Sequence, residues 1–279
     1  MPGIAPAPPR DFYVDRDGVR LRYRDEGAGF AVVFLHGWAL DLDIWEPQAA
    51  ALRAGYRVIR LDRRGFGSST GVPSLVDDAA DLQALCRHLQ LQRIALVGMS
   101  QGARVALHTA SVAPAMVACL VLDGPPRIAA ANARREPQDL PYEDYRRLAQ
   151  TRGMSAFRRE WLRHPLATLV TDDAAARELL ARIVARYPGK DLIDPLPAPS
   201  LITTPAAVRC IVPPVLVIGG ALDIDSRKQA ADELTQALPR AERAEIPNAG
   251  HLCNLDNPQA YTSALRNFLE HSMIARTQL

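Results

Sequence analysis

IALVGMSQGARVALHTA, residues 94–110, joins an apolar run to a helical pattern through Gly98-Met99-Ser100-Gln101-Gly102. The run IALV predicts a buried strand and ARVALHTA predicts a helix, so the GxSxG motif falls at a sharp strand-to-helix turn. Glycine is needed at both ends of the motif because side chains there collide with the neighbouring helix and strand. Such a turn lifts the Ser100 hydroxyl above the sheet, where it can act as a nucleophile.

Short apolar runs alternate with longer helical patterns, and this alternation predicts a parallel sheet covered by helices on both faces. Asp17-Gly18 favours a tight hairpin, so the sheet is expected to open with an antiparallel pair. Residues about 75 to 90 place leucines at helical spacing with acids near the start, which predicts a crossover helix. The runs that predict parallel strands are AVVFLHG, RVIRLD, RIALVG, ACLVLDG and PVLVIGG.

A serine nucleophile needs a base to take its proton and a third group to orient that base. His251 lies in a loop just beyond the predicted last strand, and Asp223 follows the strand VLVIGG at the same end of the sheet. The chain order Ser, Asp, His suits a nucleophile on this kind of turn. Asp225 competes with Asp223, but Ser226-Arg227-Lys228-Gln229 resembles a capping box, which places Asp225 at a helix entrance. We therefore expect Asp223 to be the acid.

The remaining histidines are weaker candidates for the base. His36 belongs to a His-Gly-Trp turn, where fixing the following loop is its favoured role and lining a pocket is the alternative. The others fall in helical patterns or in a predicted insertion and are expected to be structural or solvated: His88, His108, His164 and His271.

An oxyanion formed at an acyl carbon needs preformed donors. The amide of Gln101 lies at a predicted helix N-terminus, whose dipole favours negative charge, and the amide of Trp38 follows His36-Gly37. Met99 and the Trp38 side chain are candidates to line the pocket, although either can simply be packing.

The strand pattern stops between about Arg127 and Pro199, where the chain becomes helical and charged. Phe157, Trp161 and Leu162 share one predicted helix face there and are candidate pocket residues, although any one of them can simply pack the cap onto the sheet. The expected helices lie around 142 to 150, 154 to 163 and 172 to 186. The predicted organisation is a flexible arm over 1–10, a core over 11–126 and 200–279, and a helical cap over 127–199.

Five blocks of sequence together resemble the α/β-hydrolase fold family, in its esterase, haloperoxidase and enol-lactonase branch. They are HGWALDLDIWEPQ from His36, LDRRGFGSS from Leu61, VGMSQG from Val97, GGALDIDS from Gly219 and NAGHLCNLDNP from Asn248.

The resemblance implies a mostly parallel eight-stranded sheet with a helical cap. It also implies Ser100 as nucleophile, Asp223 as acid and His251 as base, with the Trp38 and Gln101 amides as oxyanion hole. Ala103 and Gln101 depart from the usual residues after the nucleophile, which bears on the pocket floor and not on the triad.

Composition excludes several other classes of function. The formal net charge of +2 comes from 33 basic and 31 acidic residues without a long basic run, so nucleic acid is not an expected partner. No apolar stretch approaches the roughly 18 to 20 residues of a membrane helix, and the N-terminus lacks a secretory pattern. The four cysteines lie far apart, without CxxC spacing. A cytoplasmic protein without metal or cofactor is expected, and a homodimer remains open as its assembly.

The leading expectation is a carboxylic ester hydrolase that acts on a small ester or lactone through an acyl-enzyme. Carbon–carbon bond hydrolysis of ring-fission products and perhydrolysis of the haloperoxidase type are alternatives on the same scaffold. A hydrolase-like ligand-binding protein is the non-enzyme alternative, and the complete set of Ser100, Asp223 and His251 argues against it. A serine in place of an aspartate nucleophile argues against dehalogenase or epoxide hydrolase chemistry.

Overall fold

The computed structural model describes residues 10–128, 140–194, 201 and 204–277. The predicted N-terminal arm lies outside these residues except for Arg10.

Eight strands form one sheet in the order β1-β2-β4-β3-β5-β6-β7-β8. From β4 to β8 every neighbouring pair is parallel, whereas β1 with β2 and β2 with β4 are antiparallel. The predicted mostly parallel α/β sheet is therefore confirmed. The strands are β1 Phe12–Arg16, β2 Val19–Glu26, β3 Ala31–Leu35, β4 Arg57–Leu61, β5 Ile94–Met99, β6 Val117–Asp123, β7 Val215–Gly220 and β8 Ala241–Ile246.

Ten α-helices are assigned within the described residues, together with a 3₁₀ turn over Leu42–Trp45. They are α1 Glu46–Leu52, α2 Leu75–His88, α3 Gln101–Val112, α4 Tyr142–Trp161, α5 Ala174–Arg186, α6 Lys190–Ile193, α7 Pro205–Arg209, α8 Asp225–Ala237, α9 Cys253–Asp256 and α10 Pro258–Thr277.

Local sequence explains the hairpin and the crossover helix. Asp17 and Gly18 have φ values of 50° and 77°, the left-handed conformation that a tight two-residue hairpin needs. Ser74 caps the first turn of α2 by accepting a hydrogen bond from the Asp77 amide. The predicted helix near 75–90 is thus observed, ending at His88.

The central strands are buried on both faces because alternate side chains enter two different cores. Val32 and Phe34 of β3 pack with α1, α10 and the helices between β6 and β7. Val33 and Leu35 of the same strand pack with α2, α3 and α8. This layering explains why β3, β5, β6 and β7 read as continuous apolar runs.

Helices α4 to α6 form the described part of a segment between β6 and β7, called here the insertion (140–194). Gly153 has φ 77° and ψ 166°, which kinks α4 at the junction of the first two predicted helices. Asp173 caps α5 by accepting a hydrogen bond from Ala175 N. The helices expected around 142 to 150, 154 to 163 and 172 to 186 therefore correspond to the two halves of α4 and to α5.

Two ion pairs and two hydrogen bonds connect the insertion to loops at the carboxyl ends of the strands. Arg186 pairs with Asp41 at 2.7 Å and with Asp43 at 2.6 Å. Asp256 Oδ1 accepts hydrogen bonds from the amides of Val170, at 2.7 Å, and Thr171, at 3.0 Å.

Within the described ranges, no helix combines the length and apolar character needed to cross a bilayer. The four cysteines, all of which lie in the described ranges, form no disulfide with one another, and Cys210 alone of the four is exposed.

Candidate active site

Ser100 occupies a strained turn between β5 and α3, with φ 52° and ψ −109°. A Cβ on Gly98 would lie 2.3 Å from the Gly102 carbonyl oxygen, and a Cβ on Gly102 would lie 2.4 Å from the Leu35 carbonyl oxygen. Both glycines are therefore required by close backbone approach, as the motif predicts. The Ser100 amide donates to the Asp123 carbonyl at 2.8 Å, which ties the turn to the end of β6.

His251 and Asp223 meet above the carboxyl ends of β7 and β8. His251 Nδ1 lies 2.9 Å from Asp223 Oδ2, and both side chains are buried. Because a carboxylate only accepts, Nδ1 carries a proton, and in the neutral ring Nε2 is then the acceptor nitrogen. Asp223 Oδ1 accepts a second hydrogen bond, from the Ile224 amide at 2.8 Å, which fixes the carboxylate.

Gly124 leaves the space in which the His251 ring sits. Its φ is 52°, and a Cβ there would lie 2.6 Å from His251 Cε1. A glycine is therefore required both by the backbone conformation and by the ring behind it.

Asp225, the alternative candidate for the acid, lies at the surface. Asp225 is the first residue of α8, its side chain is 98% exposed, and it pairs with Lys228 at 2.9 Å. The predicted capping box is wrong: the cap is Ile224, without a side-chain hydrogen bond, and Ser226 Oγ is buried with no described partner.

The peptide before Trp38 is held in one orientation. The Gly37 carbonyl accepts from His36 Nδ1 at 2.7 Å and from Arg63 Nη2 at 3.2 Å. His36 Nε2 accepts in turn from the Arg63 amide at 3.0 Å. The N–H of a trans peptide points away from its carbonyl, so the Trp38 amide faces away from His36 Nδ1 and Arg63 Nη2. Trp38 and Ser100 line the same cavity. Gln101 supplies a second amide at the N-terminus of α3, and its side chain accepts from Arg63 at 3.0 Å.

His36 acts beneath this loop and not in the cavity. Its burial, followed by the charge of Arg63, holds the pKa of His36 well below its usual range. A neutral ring with one donor and one acceptor nitrogen is what the two hydrogen bonds require.

Ser100 and His251 share one cavity of about 420 Å³. Of the predicted pocket residues, Trp38, Met99 and Trp161 line it. His36, Phe157 and Leu162 are not part of the described lining, so their prediction as pocket residues needs correction. Phe157 is fully buried behind Trp38 and Trp161, with its ring centroid 5.5 Å from that of Trp38. Leu162 is partly buried and packs against the same apolar cluster.

Trp38 is also the residue through which the insertion contacts the loop after β3. Its indole Nε1 donates to Asp191 Oδ2 of α6 at 2.6 Å, and the Tyr187 hydroxyl donates to Asp191 Oδ1. The Tyr142 hydroxyl donates to the Asp191 carbonyl at 2.5 Å. Burial raises the pKa of Asp191, and the hydrogen bonds from Tyr187 and Trp38 oppose that rise.

Sequence reasoning missed several residues of this site. Asp191 is 153 positions from Trp38, and only the packed fold brings them together. For Arg104 the sequence gives a weak indication of a place in the site, since this residue lies one helical turn beyond Ser100 on a predicted helix. Arg104, Arg127 and Arg227 all line the cavity.

The comparisons with known proteins agree with this fold. The chain belongs to the α/β hydrolase fold family, whose model matches residues 31–258. The resemblance drawn from the sequence blocks is thereby confirmed.

Individual relatives carry several activities. The chain is 31% identical over 259 residues to "Putative non-heme bromoperoxidase BpoC" of Mycobacterium tuberculosis, which covers 90% of this chain and 97% of that protein. A thermophilic esterase from Thermogutta terrifontis matches at TM-score 0.80 and 25% identity, covering 94% of this chain and 99% of that one. The enol-lactonase from Burkholderia xenovorans LB400 matches at TM-score 0.76 and 26% identity, covering 92% and 99%.

Proposed function

We propose that the chain is a serine hydrolase that cleaves a carboxylic ester or lactone through an acyl-enzyme. The observation that carries this proposal is the His251–Asp223 pair, 2.9 Å apart, facing a cavity that also exposes Ser100 on a strained turn. We further propose that the insertion acts as a cap over this cavity, which Tyr142, Trp161 and Leu166 help to line.

In the acylation step, His251 Nε2 takes the proton of Ser100 as Oγ bonds to the acyl carbon. The carbonyl oxygen becomes an oxyanion that accepts hydrogen bonds from the Trp38 and Gln101 amides. Asp223 stabilises the imidazolium. The bond to the alcohol oxygen then breaks, and His251 returns the proton to that oxygen.

In the deacylation step, His251 takes a proton from water as the water oxygen bonds to the acyl carbon. The bond to Ser100 Oγ breaks, the serine recovers its proton, and a carboxylic acid leaves. An esterase and an enol-lactonase among the structural relatives support this substrate class.

A second candidate is perhydrolysis, which the 31% identity to a protein named as a non-heme bromoperoxidase favours. Hydrogen peroxide then replaces water in the second step, and a peracid leaves in place of the acid. The acyl-enzyme and the residues that form it are the same, so product analysis with and without peroxide separates the two reactions.

Ser100→Ala tests the proposal, with Ser111→Ala on the same helix as the control. We expect Ser100→Ala to lower turnover of an aryl ester by roughly a thousandfold or more, because only oxyanion and binding effects remain. A fluorophosphonate probe, followed by intact-mass spectrometry, should add once to the wild type and to the control and not to Ser100→Ala. Retained turnover or retained labelling in Ser100→Ala contradicts the assignment.

A further inference from the structure

Three arginines line the cavity that holds Ser100 and His251: Arg104, Arg127 and Arg227. Glu143 is the one acidic side chain in the described lining. The lining therefore carries an excess of positive charge. Segment 129–139, which follows Arg127, contains Arg134, Arg135, Glu136 and Asp139 and so adds no net charge.

The three arginines approach the reacting groups from three different elements. Arg104 is four residues after Ser100 on α3, so it lies one turn along the same helix face. Arg127 follows β6, whose Asp123 carbonyl holds the Ser100 amide. Arg227 belongs to the first turn of α8, four residues beyond Asp223. A group bound among them lies close to the acyl centre.

Elsewhere in the described chain, the buried arginines form ion pairs with carboxylates. Arg63 pairs with Asp78 at 2.9 Å and Arg64 with Asp81 at 2.6 Å. For Arg127 no ion pair with a described residue is found, its Nη1 is buried, and no described residue accepts a hydrogen bond from that nitrogen. A buried donor without an acceptor costs free energy, which a bound anion recovers.

We propose that the substrate is a small ester or lactone that carries a second, free carboxylate. Arg127 binds this carboxylate, and Arg104 and Arg227 supply the surrounding positive potential. Guanidinium groups suit a carboxylate because their planar N–H pairs match its two oxygens. A positive lining in a narrow cleft also draws anions in before they bind. This inference rests on the proposed serine hydrolase function.

The test compares two substrates that differ in charge and little in shape: 4-nitrophenyl hydrogen glutarate and its methyl ester. We expect kcat/KM to be about 10- to 100-fold higher for the free acid, the value of one charged hydrogen-bonded contact. Sodium chloride at high concentration should reduce this ratio, since salt screens the attraction. Both measurements use the wild-type protein and need no variant to fold.

Variants then assign the preference to the cavity. Arg127→Gln should lower the acid-to-methyl-ester ratio at least fivefold, whereas Glu143→Gln should raise it, because it removes the opposing charge. Arg147→Gln is the matched control: it lies on α4, its side chain is 74% exposed, and it is not part of the described lining. The control should leave the ratio unchanged.

The outcomes separate the two proposals. Equal kcat/KM for both esters, with Ser100 still labelled by fluorophosphonate, overturns the carboxylate preference and keeps the serine hydrolase. An unchanged ratio in Arg127→Gln also overturns it. Failure to turn over either ester, with Ser100 unlabelled, contradicts the proposed function itself.

Discussion

Asp191→Ala removes the carboxylate that joins the insertion to the Trp38 loop. In the wild type this carboxylate accepts from the Trp38 indole at 2.6 Å and from the Tyr187 hydroxyl. Trp38 is 4% exposed and Tyr187 is 2% exposed, so water cannot readily replace the lost acceptor at either donor.

The expected loss in the free energy of unfolding follows from these two donors. A buried donor left without a partner costs about 1 to 3 kcal/mol, so two of them cost about 2 to 6 kcal/mol. Removing the carboxylate also removes the cost of burying it, the same cost that raises its pKa. We therefore expect a loss of about 2 to 4 kcal/mol in the free energy of unfolding.

Urea denaturation at neutral pH measures this loss. Asp144→Ala is the control, because that aspartate is 73% exposed on the same insertion and should change stability by less than about 0.5 kcal/mol. Tyr187→Phe should offset part of the loss when combined with Asp191→Ala, since the double variant no longer buries an unpaired hydroxyl. A coupling energy of about 1 kcal/mol or more is expected. Additive losses, or an Asp191→Ala variant as stable as the control, would refute this reasoning.

The same variant should also lower kcat for an aryl ester by about tenfold or more, because the Trp38 amide loses its fixed position in the proposed oxyanion hole. The backbone donor itself remains, so the loss should be smaller than for Ser100→Ala. A change confined to KM would show that Asp191 acts on binding alone.

Three further predictions concern the catalytic end of the sheet. Asp223→Asn should lower kcat by about 10³ to 10⁴, whereas Asp225→Asn should leave steady-state turnover within about twofold, and the opposite ranking would move the acid. Gly124→Ala should lower kcat by about tenfold or more, because its methyl group displaces the His251 ring; full activity would show that the ring can shift without penalty. Burial raises the pKa of Asp123 to about 7, so the folded protein holds a proton on this carboxyl that the unfolded chain releases near pH 4. The contribution of this proton to the free energy of unfolding is therefore complete below pH 4 and is lost as the pH rises through 7. Replacing Asp123 by Asn removes this pH dependence. The difference in free energy of unfolding between the wild type and the variant should therefore fall by on the order of 1 to 3 kcal/mol between pH 4.5 and 8. A difference that stays constant over this range contradicts the raised pKa of Asp123.

Features encoded locally were predictable from the sequence. The strand-to-helix turn at Ser100 and the hairpin at Asp17-Gly18 are each set by a few adjacent residues with a definite backbone requirement. The two halves of α4, separated at Gly153, were predictable for the same reason. The choice of Asp223 over Asp225 also followed from local order, although the capping argument used for it was wrong. The exposure of Asp225 and the contact between Asp223 and His251 favour the same choice.

Features that depend on packing were not predictable. Phe157 and Trp161 share a helix face, but one lies behind Trp38 and the other lines the cavity, because the depth of a residue depends on what packs in front of it. His36 faces backbone atoms that only the folded loop brings to it. The Asp191–Trp38 contact joins elements far apart in the chain, so no spacing rule points to it. The same holds for Arg127 and Arg227, whereas helical spacing from Ser100 gives a weak indication of Arg104.

The insertion contacts both loops that carry the proposed catalytic groups. Asp191 holds the side chain of Trp38, whose amide is a proposed oxyanion donor. Asp256 accepts from Val170 and Thr171 of the insertion through Oδ1 and from the Gly250 amide through Oδ2, at 2.8 Å, immediately before His251. Side chains packed this closely transmit displacements to one another. A change in the insertion should therefore alter the positions of the proposed oxyanion donor and the proposed base as well as the shape of the pocket. Exchanging the insertion for another sequence should affect kcat together with substrate choice unless these two contacts are kept.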